Sequence, residues 1–67
     1  MIDLPEPGQP LRIGRTVYTF EGRTPAADNC RARGIEFFYG IRRNDGRLYM
    51  VTVWQDGTQG RPVCVGR

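Results

Sequence analysis

The side chains that could do chemistry in this 67-residue chain are few. There are two cysteines, seven carboxylates and ten cationic residues, all arginine, with neither histidine nor lysine. General acid–base catalysis needs a tuned proton carrier held in a pocket, and here the carboxylates are scattered from Asp3 to Asp56. No glycine-rich phosphate cradle is present. Cys30 has positive neighbours in Arg31 and Arg33, but a thiol without a base partner is not a catalytic constellation. Two cysteines without histidine are too few for a zinc site. The sequence therefore predicts a non-enzyme, with no catalytic residue, no metal ligands and no cofactor.

What remains is the chemistry of grip. Arginine forks onto phosphates and carboxylates and stacks on aromatic rings, so an all-arginine surface holds anions well for a net charge of only +3. The densest stretch is "FFYGIRRNDGRLYMVTVW", residues 37 to 54. It contains four of the six Phe and Tyr residues, the only Trp and three arginines. Its period is two, so it reads as two strands, 35 to 42 and 47 to 54, joined by a turn. Asn44-Asp45-Gly46 favours a type I turn with a left-handed glycine bulge. That register sets Gly40 opposite Met50 and Phe37 opposite Val53.

One face of this hairpin then carries Ile35, Phe37, Tyr39, Ile41, Tyr49, Val51 and Val53, a nearly unbroken apolar surface. The other carries Glu36, Phe38, Gly40, Arg42, Leu48, Met50, Thr52 and Trp54, mixing large apolar groups with charge. Burying one such apolar side chain is worth about 1.5 to 3 kcal/mol, so the second face demands a cover. The N-terminal arm and first hairpin, a dimer mate or a ligand could supply it. The candidate partner-binding residues are Phe38, Met50 and Trp54, rimmed by Arg42, Arg43 and Arg47, since aromatics and arginine dominate binding hot spots. Arginines interleaved with aromatics also suit phosphate tracking and base stacking.

The elements that must position these residues follow from local signals. Residues 1 to 10, with three prolines and a glycine, form an extended Pro-rich arm, and residues 11 to 67 one small domain. "LRIGRTVYTF" reads as a hairpin turning at Gly14. "RTPAADNCRARG" is the helix candidate, capped by Thr24, with Pro25 at its first position and Gly34 as its stop. Pro62 to Val65 is a last short strand. The expected fold is α+β: an antiparallel sheet of four to five strands with one short helix packed on one face, order β(β)αβββ. Cys30 and Cys64 are read either as reduced core thiols or as a bridge. With no apolar run near ~20 residues and no signal-peptide layout at the acidic N-terminus, the expected compartment is the cytoplasm.

Two resemblances bear on function. "GIRRNDGRLYMVTVWQDG" resembles the strand-turn-strand of the arm-binding domains of phage-type integrases, which implies a sheet entering a DNA groove. The whole layout and size resemble some small phage anti-CRISPR proteins, which implies a phage-encoded inhibitor that blocks a nucleic-acid groove by protein contact. No residue role is carried over from either. The expected function is a small inhibitor or adaptor acting on a partner protein or protein–nucleic-acid complex, without membrane contact. The alternatives are a basic nucleic-acid-binding module and a homodimeric structural domain.

Overall fold

A computed structural model describes residues 3–66 as one five-stranded antiparallel sheet with a single turn of helix. The strands are β1 (Pro10–Ile13), β2 (Thr16–Pro25), β3 (Ile35–Arg42), β4 (Leu48–Trp54) and β5 (Val63–Gly66), and α1 (Asp28–Arg31) lies between β2 and β3. Spatial order equals chain order, so the sheet is a meander with β1 and β5 at its edges. The element order is the expected one, although the helix is so short that the fold is nearly all β.

The turn chemistry explains the register. Asp45 Oδ1 accepts the Arg47 N–H at 3.0 Å, and Gly46, at φ +87°, closes the β3–β4 turn in the left-handed region that glycine enters freely. Gly40 consequently faces Met50, and Phe37 faces Val53. The same device recurs at the end of β4, where Asp56 Oδ1 accepts the Thr58 N–H at 2.9 Å and Gly57 has φ +90°. The Thr58 hydroxyl donates to the same oxygen, and these hydrogen bonds lower the Asp56 pKa.

The expected helix over "RTPAADNCRARG" shrinks to four residues. Thr24 and Pro25 stay in β2, paired with Phe38 and Phe37, so Thr24 caps nothing. Pro25 closes the strand at a position where a missing N–H costs little. Ala27 occupies the N-cap in an extended conformation with no side chain able to cap, which leaves the helix its weakest start. Gly34 does end it, at φ +94°. No residue of α1 is buried, so the helix cannot roof the core as expected.

The core forms on one face of the sheet, from Tyr18, Phe20, Tyr39, Ile41, Val51 and Val53. Leu11 and Ile13 of β1, Phe37, Tyr49 and Leu4 of the arm pack against it. The arm and first hairpin therefore close the same face that the helix was expected to cover. Extra residues at Glu21, Glu36 and Val65 interrupt the ladders, and such bulges bend a sheet and increase its twist. The bulge at Glu36 also moves Ile35, which pairs with Trp54 and leaves the core face on which it was expected.

Tyr39 anchors this core, being 1 % exposed. Its hydroxyl donates to Gln59 Oε1 at 2.5 Å, and burial raises its pKa above the ordinary phenol value. A folded-state pKa above the unfolded one means the unfolded chain loses its proton first as pH rises. Stability is then intact below about pH 10 and falls as pH climbs towards the higher folded value. Tyr39→Phe is expected to remove this alkaline loss while costing about 1 kcal/mol near neutrality for the lost hydrogen bond. Urea midpoints measured from pH 7 to 11 check both parts.

Candidate protein-binding face

Among the described residues, no segment is packed over the opposite, outer face. Alternation from the buried residues of β4 puts Leu48, Met50, Thr52 and Trp54 there in one row. Across the ladders they oppose Arg42, Gly40, Phe38 and Ile35, and Val63 opposes Met50 from β5. Phe38, Leu48 and Met50 are half-buried by their neighbours, whereas Trp54, Val63 and Val65 are exposed at 36 %, 61 % and 53 %. Trp54 ends the row. A β-carbon built on Gly34 would stand 4.0 Å from its ring, and an open depression of ≈ 340 Å³ lies beside it, lined also by Gln55, Asp56 and Thr58.

Phe38, Met50 and Trp54 therefore share one surface, as their spacing predicts. The three arginines do not. Arg42 is on this face, but its Nη1 donates to the Gly46 carbonyl at 2.6 Å and its Nε lies 3.6 Å from Glu21 Oε1. Arg43 belongs to the core side of the sheet, where hydrogen bonding to Tyr49 raises its pKa. Arg47 sits in the exposed turn, 3.6 Å from Asp45 Oδ2. The physical reason is alternation: Arg42 pairs with Leu48 on the outer face, so its neighbour Arg43 must point the other way.

Glu21 is the residue that the sequence did not bring to this site. It lies at the β2 bulge, and its Cβ would be 3.6 Å from a β-carbon on Gly40. The bulge places a carboxylate beside Arg42, and only a hint of irregular alternation at "FEGR" could have signalled it. The exposed pair contributes about 0 to 1 kcal/mol. Its larger effect is to neutralise the charge of Arg42.

A second, polar cleft of ≈ 200 Å³ opens at the same end of the β3–β4 pair, lined in part by Arg23, Glu36, Phe37 and Asp56. Arg23 stacks over Phe37 there, 5.2 Å from the ring centre. The cysteines are far from any shared chemistry. Both are free, with Cys30 half-buried on α1 and Cys64 exposed on β5, so neither belongs to the core. Among the described residues no three His, Cys, Asp or Glu side chains gather, and no helix is long and apolar enough to cross a membrane. No protein-family model, curated protein or solved structure matches this chain.

Proposed function

We propose that this chain is a small non-enzymatic binding protein that occupies a site on a partner protein or protein–nucleic-acid complex, as an inhibitor or adaptor in the cytoplasm. The observation that carries this reading is the apolar row on the outer face. Leu48 and Met50, half-buried, and Trp54, exposed, are flanked by Phe38 and Val63 on the face opposite the core, with no described segment packed over them. An antiparallel sheet closed on one side ordinarily turns polar residues to water on the other. A contiguous apolar patch there marks a contact surface for another macromolecule.

The placement of the arginines favours protein over nucleic acid as the ligand. A phosphate-tracking surface needs free cations beside its aromatic groups, but Arg42 is held by Glu21 and Gly46 while Arg43 and Arg47 lie off the outer face. A salt-titrated shift assay with DNA and RNA tests this directly. The expected result is no more than weak binding that is lost on raising salt and is indifferent to Met50→Ala. Tight binding that weakens on Met50→Ala would make nucleic acid the ligand of this face.

A further inference from the structure

We propose that the resting occupant of the outer face is a second copy of the chain, paired about a two-fold axis so that two outer faces pack as the layers of a sandwich. The inference rests on reading that face as a protein-contact surface, and it names the protein met first. The chain exposes 4968 Å², whereas a compact monomer of 7.6 kDa is expected to expose about 4,300 Å². Trp54 and Val63 of the outer face are among the large apolar side chains that the single chain leaves exposed.

Charge permits the self-pairing. The chain carries +3 overall, which would oppose association if the excess lay on the contact. On the outer face the charged strand residues are Arg12, Glu21 and Arg42. Glu21 and Arg42 neutralise each other, and the Arg12 Nε is turned to the Gly14 carbonyl at the β1 edge. Among the described residues the other arginines lie in turns and loops, at the helix and on the core side, so two outer faces meet without like-charge repulsion across their centre.

The β5 edge of the sheet offers no competing route. Gly60 donates its N–H to the Thr52 carbonyl, so even-numbered positions of β4 turn their amides towards β5. Val63, opposite Met50, is then hydrogen-bonded inward, and Pro62 and Cys64 face outward. Pro62 has no N–H to give, Val65 is bulged and β5 is only four residues long. Each of these is a device that blocks strand addition. β1, the other edge, is also only four residues long and begins at Pro10, which blunts it in the same way. Association therefore uses the face, where sheets pack about 10 Å apart and interdigitate side chains such as Phe38, Leu48, Met50 and Val63.

Sedimentation equilibrium of the full chain, from low micromolar to near-millimolar concentration, tests the proposal. The expected result is a reversible rise to twice the 7.6 kDa chain mass. Val63→Glu alters a side chain already 61 % exposed in the single chain, so it leaves the fold intact, as circular dichroism checks. It is expected to weaken the dimer at least about tenfold, because the two-fold buries two unpaired carboxylates. Met50→Glu should do at least as much, and Arg43→Ala with Arg47→Ala should do nothing. A wild-type chain that stays monomeric throughout overturns the dimer, as does a dimer indifferent to both Glu variants. A monomer whose capture of a foreign protein is abolished by Met50→Glu would end the dimer and leave the functional reading standing. A dimer broken by Val63→Glu, with foreign capture unchanged by Met50→Glu, would do the reverse.

Discussion

Tyr39→Ala is expected to leave the chain unfolded at room temperature. Tyr39 is 1 % exposed, lies between Arg23 and Val51 in the ladders and packs on Phe20 with ring centres 5.8 Å apart. Truncating a large buried aromatic costs about 3 to 5 kcal/mol. A chain of this length has about 3 to 10 kcal/mol of stability in all, and small domains sit at the low end because they bury the least surface. The loss thus consumes most or all of the margin. Ile41→Val, at a wholly buried neighbour, should cost only about 0.5 to 1.5 kcal/mol and stay folded. Trp54→Ala should also stay folded, since the indole is more than a third exposed and stands at the end of its strand. Far-UV circular dichroism with urea titration separates the three. An unfolded Trp54→Ala beside a folded Tyr39→Ala would mean that the core had been placed on the wrong face.

The hairpin of β3 and β4 was legible because each local signal pointed the same way. Alternation, the Asn-Asp-Gly turn and the β-branched strand residues all fix one register, and the two faces follow from it. The helix was not legible. Thr24-Pro25-Ala26-Ala27 offers an N-cap, a proline at the first position and two strong helix formers, yet Thr24 and Pro25 pair with β3, where the sheet gains more than one weak helical turn can return. What covers the core was also hidden, because roofing is decided by where the arm and first hairpin cross. That depends on bulges at Glu21 and Glu36, which bend the sheet without leaving a residue-type signature. The candidate site was half visible for the same reason. Period two puts Phe38, Met50 and Trp54 together, and also separates Arg42 from Arg43, but the partner of Arg42 arrives from a bulge in another strand.

Met50→Ala and Phe38→Ala are each expected to weaken capture of a protein partner by about 2 kcal/mol, roughly 30-fold. The measurement belongs at concentrations where the chain itself is monomeric. Hot spots lie near the centre of a contact, in positions shielded by their neighbours. Met50 meets this condition, with Gly40 on one side and Val63 on the other, and Phe38 lies diagonally across from it beside Thr52. Trp54→Ala should cost less than either, because the indole ends the row against Gly34. Changing Arg42, Arg43 and Arg47 together to Ala should alter the association rate a few-fold at low salt and leave the dissociation rate nearly unchanged. Both variant classes should keep the wild-type circular dichroism, since none of these side chains belongs to the buried core. Surface-bound kinetics at two salt concentrations reads every part of this pattern. If the arginine triple abolished binding while Met50→Ala and Phe38→Ala did not, the contact would run through the hairpin tip. The apolar row would then be ordinary surface, and the ligand would be sought among polyanions.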